Sequence, residues 1–418
     1  MLYNQIVLLL LTIVFVFILY RCYKTIKSSA IMVSIIAVYT MSFFCSFIYY
    51  GIDPFRSEEN LSLLLLIFWL LIWFLSCVPI IQIDKSCYSI IEYNFKQIKI
   101  ICVISLFTGL IPFLEYLTRV DEIFSVGNLT QTIADIHDDN EKVLMLSPIS
   151  EILASIHGFF YYITLISFVP VFTEKGSNYL AKLGVIINLA NRILPSFILS
   201  SRGAIMVVIG ELIVVLLLYY PTLSIEMRRI IRKASICLLL SVMAFFFVIT
   251  IARQSQYEFE RGDYYTLSYF ITRYAGEGIV NFTINLQDLK DTIGGEECFW
   301  YAKKIFGMNP EETNRIWDWG LSDKLGVPRG IFYTYIGSFV MDIGFFFTLL
   351  FWLFISVVLK NFFKRNINKT ISLSTLLVAV VYIETILLGF YMYRFLGMGS
   401  LGFRPIIFQF LLLRLLKQ

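Results

Sequence analysis

Histidine occurs only twice in 418 residues, at His137 and His157, too rarely to build a histidine metal centre. The seven cysteines, Cys22, Cys45, Cys77, Cys87, Cys102, Cys237 and Cys298, are scattered, and none forms a CxxC pair. Such spacing indicates neither a disulfide framework nor a zinc site. We expect no metal and no cofactor. Charge is scarce as well: Asp, Glu, Lys and Arg make up 15% of the chain, which leaves less polar surface than a soluble domain needs. No internal repeat is present, so the inverted-repeat signature of many transporters is missing. The N-terminus has neither a basic leader nor a small-x-small cleavage site, so its first apolar run is expected to remain as a span. The net charge of +4 gives no reason to expect a nucleic-acid partner.

What is present is apolar length. Hydrophobic residues reach 58% and aromatic residues 17%. Runs such as IVLLLLTIVFVFILY and LSLLLLIFWLLIWFLSCVPII approach or exceed the about 20 residues that cross a bilayer. The chain therefore reads as an all-α polytopic membrane protein, with the lipid bilayer as its first partner. About eleven spans are expected, at 3–20, 30–50, 61–82, 99–118, 149–172, 182–199, 204–220, 234–252, 330–358, 371–393 and 403–416. The connections alternate in charge. RCYKTIK, DKSCYSIIEYNFKQIK, TEKGSNYLAK, MRRIIRK, KNFFKRNINK and the terminal RLLKQ lie on one side, which holds 18 of the 34 basic residues and 4 of the 30 acidic ones. Positive residues in short loops mark the cytoplasm, so the N-terminus is expected outside and the C-terminus inside. Three regions follow: spans one to eight in 1–252, one large outer loop in 253–329, and spans nine to eleven in 330–418.

The outer segments differ from the inner ones. Residues 119–147 are acidic and end in DIHDDNEK, a solvated loop rather than a cation site. The loop at 253–329 is too aromatic for disorder. Its stretches DYYTLSYFITRYAGEGIVNF and ECFWYAKKIF read as short amphipathic helices lying over the membrane mouth.

Several ions fall where the apolar pattern calls for none. Arg202 sits in the SSRG turn between spans six and seven. Each of these spans is about 17 residues, roughly 25 Å at 1.5 Å per residue, against a hydrocarbon layer of ~30 Å. The hairpin tip is therefore expected below the outer surface, with Arg202 on the floor of a wet cavity. Arg192 and Glu211 flank that tip at similar depth and are expected to form an ion pair inside the bundle. Arg404 lies ten residues before Arg414, hence below the outer face. Arg253, Arg273 and Arg394 close or follow spans on the same side. Snorkelling toward the interface accounts for Arg253 and Arg273; it accounts less well for Arg202 and Arg404.

Arginine grips phosphate with a planar fork and stays charged. An outward cavity lined by Arg202, Arg253, Arg273, Arg394 and Arg404 suits a lipid-linked diphosphate carrying sugar. Aromatic faces such as Tyr274 and Trp300 would stack on the sugar rings. The arginines would stabilise the leaving polyprenyl diphosphate, a role that a metal ion plays elsewhere. A carboxylate would take the proton of the attacking hydroxyl. Glu277 is the first choice, between Gly276 and Gly278, which would let backbone approach a substrate; Asp263 is the second. Glu277 could instead simply pair with Arg273 at i,i+4. Glu115, Asp342 and Glu384 lie within spans, where they form either a proton path or capped buried networks.

The stretches ILSSRGAIMVVIGELIVVLL, IARQ, YFITRYAGEGIVNF and TYIGSFVMDIGFFFTLLFWL resemble the O-antigen polymerase (Wzy-type) family. The motif-like match covers mainly 193–358. The resemblance implies a GT-C-like all-helical glycosyltransferase working without a metal. Its donor and acceptor would be undecaprenyl-diphosphate-linked oligosaccharide repeat units at the periplasmic face of a bacterial inner membrane. It carries over Arg202, Arg253 and Arg273. A chain-length regulator protein is an expected partner. The related O-antigen ligases share the topology, but a histidine is often proposed in their large loop, and residues 253–329 contain none. A lipid-linked oligosaccharide flippase or other transporter is the non-enzymatic alternative.

Overall fold

A computed structural model describes residues 2–25, 30–53, 56–86, 88–125, 146–174, 178–198, 202–230, 233, 267–296, 298–307, 319–328, 333–391 and 403–415. The elements in chain order are α1 (Leu2–Thr25), α2 (Ala30–Ile52), α3 (Leu63–Lys85), β1 (Ile90–Glu92), α4 (Phe95–Ser125), α5 (Pro148–Gly158), α6 (Tyr161–Ile166), α7 (Phe168–Thr173), α8 (Tyr179–Ile198) and α9 (Arg202–Tyr219). They continue with α10 (Leu267–Asn285), α11 (Trp300–Ile305), α12 (Trp319–Leu325), α13 (Tyr335–Asn366), β2 (Thr370–Ser372), α14 (Leu373–Leu387) and α15 (Phe403–Leu415).

Among the described residues, six helices are long and apolar enough to cross a membrane: α1, α2, α3, α4, α9 and α13. A seventh crossing is made if α5 and the α6–α7 segment, bent by 58°, count as one broken span. The described residues thus carry the helices of a multi-pass membrane protein, with six or seven crossings where the sequence suggested about eleven. The expected spans at 182–199, 371–393 and 403–416 fall on α8, α14 and α15, which are not among those six. With 15 and 13 residues, α14 and α15 are each shorter than the ~30 Å hydrocarbon layer at 1.5 Å per residue. The expected span at 234–252 lies outside the described residues.

The chain forms two compact units. The first comprises 1–87, 261–368 and 381–403. Its centre is aromatic. Trp69 and Trp73 stack at 6.4 Å, Phe43 meets Trp69 edge-on at 5.5 Å, and Phe15 lies 5.0 Å from Trp73. Polar atoms in this dry interior need partners, and they find them across helices. Trp69 Nε1 donates to Thr334 Oγ1 at 3.0 Å, Tyr39 to the Ile386 carbonyl at 2.8 Å, and Tyr382 to the Ser76 carbonyl at 2.8 Å.

Two features of this unit position the site. The first is the contact of α2 with α10. Ser42 Oγ donates to the Ala275 carbonyl at 2.6 Å and Ser46 Oγ to the Gly276 carbonyl at 2.9 Å. A Cβ on Gly276 would run into the backbone amide of Ser46 and stand 2.6 Å from the Cys45 carbonyl carbon. Only a residue without a side chain permits this approach. On the next position but one, a Cβ on Gly278 would stand 2.6 Å from the Phe390 carbonyl. The two glycines beside Glu277 therefore bring protein backbone close, not substrate. The helix they sit on is buried over 276–286, and so is not the amphipathic surface helix expected there.

The second feature is a break in α13 at Gly344, with φ 79° and ψ 168°, a conformation essentially reserved for glycine. Before the break, residues 335–342 are all buried. The carbonyl of Met341 accepts the Ile293 amide at 3.0 Å, and that of Asp342 accepts Gly294 and Gly295 at 2.8 and 3.0 Å. The Asp342 carboxylate takes the Cys298 amide at 2.8 Å, so it anchors the 293–298 loop. After the break, Phe346, Phe347, Leu350, Leu353, Phe354 and Val357 are exposed. Their spacing lays one apolar stripe along the helix, suited to lipid.

The second unit comprises 88–260, 369–380 and 404–418. Here α4 packs closely on α8, where a Cβ on Gly184 would collide with the Cys102 carbonyl. Strands β1 and β2 pair in parallel, Ile90 with Thr370 and Glu92 with Ser372, which sets parts of two of the basic connections side by side. Glu115 caps α5 by accepting from the Ser147 amide at 2.6 Å and its hydroxyl at 3.0 Å.

Gly276→Ala should destabilise the protein by about 1–3 kcal/mol through overpacking. Gly158→Ala, where a Cβ meets nothing within 4 Å, should leave stability unchanged. Thermal unfolding of the two purified variants in detergent compares them directly; equal stability would refute the tight α2–α10 contact.

Candidate functional site

Along α10, polar residues recur every fourth position: Tyr269, Arg273, Glu277, Asn281 and Asn285. Side chains four apart stack along one helix face, and this stripe is continuous in hydrogen bonding over its middle. Arg273 Nε donates to Glu277 Oε2 at 2.7 Å and its Nη2 to Oε1 at 3.4 Å. Asn281 Nδ2 donates to the same Oε1 at 3.1 Å. Glu277 is 2% exposed, whereas the Arg273 side chain is 36% exposed. The carboxylate is thus sealed inside and the guanidinium reaches the surface.

The consequence is electrostatic. Burial alone would lower the pKa of Arg273, but the Glu277 charge and hydrogen bond more than offset it, so the value stands above that of an ordinary arginine. The guanidinium remains cationic at any working pH. A guanidinium has five N–H donors, and Glu277 engages two of them. The remaining three are held in a fixed plane, with Tyr269 6.0 Å beneath the cation.

The connection after α2 runs beside the same stripe. Asp53 accepts the Tyr269 hydroxyl at 3.2 Å and, with its other oxygen, the Arg56 amide at 2.9 Å. Arg56 Nη1 donates to Glu59 at 2.7 Å and to Asn285 Oδ1 at 3.0 Å. Asn285 in turn donates to Tyr333 at 3.1 Å. Tyr49 completes the wall, its ring 5.7 Å from that of Tyr269. One arginine–carboxylate pair therefore stands on α10, and a second, Arg56–Glu59, lies against the end of the same stripe through Asn285. Neither Asp53, Arg56, Tyr269, Asn281 nor Asn285 was evident as a site residue from the sequence. The four-residue recurrence along 269–285 is the signal that reveals Tyr269, Asn281 and Asn285; Asp53 and Arg56 join them only through tertiary contacts.

Of the residues expected in the site, Arg273, Tyr274 and Glu277 share α10. Tyr274 is half-buried and Trp300, on α11, is 6% exposed; its ring is a wall, not an open platform. Arg404 is exposed in the first turn of α15 and belongs to the second unit. Arg202 begins α9, but its side chain lies outside the described residues, as do Arg253, Asp263 and Arg394.

The expected Arg192–Glu211 ion pair is not among the described ion pairs. Arg192 is exposed and Glu211 fully buried. Tyr161, from α6, links them instead. Its hydroxyl donates to the Glu211 carboxylate, and its ring lies 5.2 Å from the Arg192 guanidinium. Depth alone placed the two ions level; a third helix supplied the partner.

No family model, no curated protein and no solved structure matches the chain.

Tyr161→Phe removes a hydrogen bond from a buried carboxylate and should cost about 1.5–3 kcal/mol. Arg192→Leu loses only a surface cation–ring contact, about 0.5–1 kcal/mol. Unfolding midpoints of the two variants rank them; a larger loss for Arg192→Leu would restore the ion pair.

Proposed function

We propose that the protein is a membrane glycosyltransferase that polymerises undecaprenyl-diphosphate-linked oligosaccharide repeat units at the periplasmic face of a bacterial inner membrane. The observation that carries this reading is Arg273. It is a permanently charged guanidinium, fixed in orientation by a buried carboxylate, with three donors left and tyrosine faces beside it. Donors fixed in advance stabilise developing charge without reorganising during the reaction. A diphosphate departing from a sugar develops such charge.

In the reaction, the hydroxyl oxygen of one unit attacks the anomeric carbon of the other. The bond from that carbon to the diphosphate oxygen breaks, and the electron pair leaves with the diphosphate, against Arg273. Glu277 acts through Arg273, because its oxygens already hold Arg273 and Asn281. The carboxylate left to take the hydroxyl proton is Asp263. Tyr274, on the same helix as Arg273, would be the sugar platform. A chain-length regulator would set where growth stops. The resemblance of 193–358 to the O-antigen polymerases supports the same reading.

The purified protein should convert a polyprenyl-diphosphate-linked repeat unit into a ladder of longer products with EDTA present. Arg273→Ala strands a buried carboxylate and should cost about 3–5 kcal/mol of stability. The double variant Arg273→Gln/Glu277→Gln removes both charges and should stay folded. It should still lose about 100-fold or more of the polymerising rate. A folded double variant that builds the full ladder would show that the pair only holds the helix.

A further inference from the structure

A cavity of the second unit takes no part in the reading above. It measures about 420 Å³, within the ~300–1,000 Å³ of small-ligand pockets. Strand β1, the first turns of α4, the start of α14 and the last turn of α15 surround it. The parallel pairing of β1 with β2 sets Glu92 opposite Ser372, and both residues line the cavity.

Its walls have two characters. Ile98, Ile101 and Leu413, all buried, make an apolar side. Glu92, Tyr93, Asn94, Gln97 and Ser374 make a polar one. Helix starts often offer their amides to an anion, but here side chains cap both helices. Asn94 Oδ1 accepts from the Lys96 amide at 3.1 Å, and Ser372 Oγ from the Thr375 amide at 3.4 Å. With the helix starts capped and a carboxylate on the wall, a purely anionic ligand is disfavoured. A carboxylate next to a tyrosine ring suits an ammonium group instead. The Tyr93 hydroxyl donates to Glu174 at 3.3 Å, which brings a second carboxylate to that ring. The amides of Asn94 and Gln97 and the hydroxyl of Ser374 supply neutral donors for an oxygen-rich group.

The cavity lies at a membrane border. The candidate span of α4 runs from Phe95 to Val120. Glu92, Tyr93 and Asn94 therefore stand at headgroup level, with Ile98 and Ile101 about one and two turns further in. Exposed Ile100, Ile104 and Phe107 continue along α4 as a stripe suited to acyl chains. Cations border the cavity too: Lys96 and Arg414, both exposed, adjoin the lining residues Gln97 and Leu413 in sequence. A headgroup that joins a phosphate to a primary ammonium uses both signs of charge. A choline headgroup has no N–H to give Glu92, and a glycerol headgroup leaves a net negative charge facing it.

We propose that this cavity binds the headgroup of phosphatidylethanolamine, with the ammonium on Glu92 and the glycerol end toward Ile98, Ile101 and Leu413. The site rests on the multi-pass membrane fold and is independent of the polymerase reading. The test is thermal unfolding of the purified full-length protein in detergent, titrated with phosphatidylethanolamine, phosphatidylcholine or phosphatidylglycerol of identical acyl chains. Phosphatidylethanolamine should raise the midpoint temperature and saturate, with a half-effect concentration about tenfold or more below that of the other two. Glu92→Gln should abolish that preference. Glu92→Lys should turn it toward phosphatidylglycerol, and decides the matter alone if Glu92→Gln does not fold. Equal effects of the three lipids on the native chain would overturn the proposal. So would a native preference for phosphatidylglycerol or phosphatidylcholine, and so would a preference for phosphatidylethanolamine that the variants retain.

Discussion

The first unit depends on how closely two backbones approach. Ser42 and Ser46 of α2 bond the carbonyls of Ala275 and Gly276, and there is no room between the chains for a side chain at 276. That approach fixes the rotation of α10. Once it is fixed, the stripe of Tyr269, Arg273, Glu277, Asn281 and Asn285 can face only one way. Small residues at helix contacts are the usual means of close packing in a membrane, where apolar burial between helices supplies little drive. Here the same contact also orients chemistry. Glu277 is sealed inside, so Arg273 is drawn to it while its side chain stays 36% exposed.

Burial makes the arrangement firm and also risky. A carboxylate at 2% exposure is costly unless its oxygens are engaged, and α10 supplies both partners within one turn on either side. Arg56 repeats the device with Glu59 and Asn285. Its pKa too is raised, because the Glu59 hydrogen bond and charge outweigh the burial that lowers it. The polar face of α10 therefore carries one self-neutralised pair, Arg273–Glu277, and borders a second, Arg56–Glu59. Such a face can hold an anion without carrying a large unpaired charge in its absence.

Much of this was legible in the sequence. Apolar runs marked the helices from α1 to α9, and α13, because hydrophobic length is a strong local signal. Arg273 and Glu277 at i,i+4 announced their own pairing. What stayed hidden was tertiary. Glycines 276 and 278 look like room for a substrate until one knows which helix lies against them. The breaks at Gly344 and after Gly158 leave little trace in an apolar run, since their compensation comes from the 293–298 loop and from Gln409, which accepts the Ile163 amide at 2.6 Å. Arg192 and Glu211 were matched by depth along two straight helices, and Tyr161 from a third helix took the carboxylate. Of the arginines expected in the site, Arg273 is the one whose setting is seen in the first unit.

The most direct test is the affinity of the purified protein for a non-transferable polyprenyl-diphosphate sugar, measured by calorimetry with EDTA present, for the native chain and for Arg273→Lys. Lysine keeps the charge but loses the planar fork that Glu277 orients. The account predicts that the native protein binds and that the lysine variant binds about tenfold or more weakly. Equal affinity in the two proteins would contradict it.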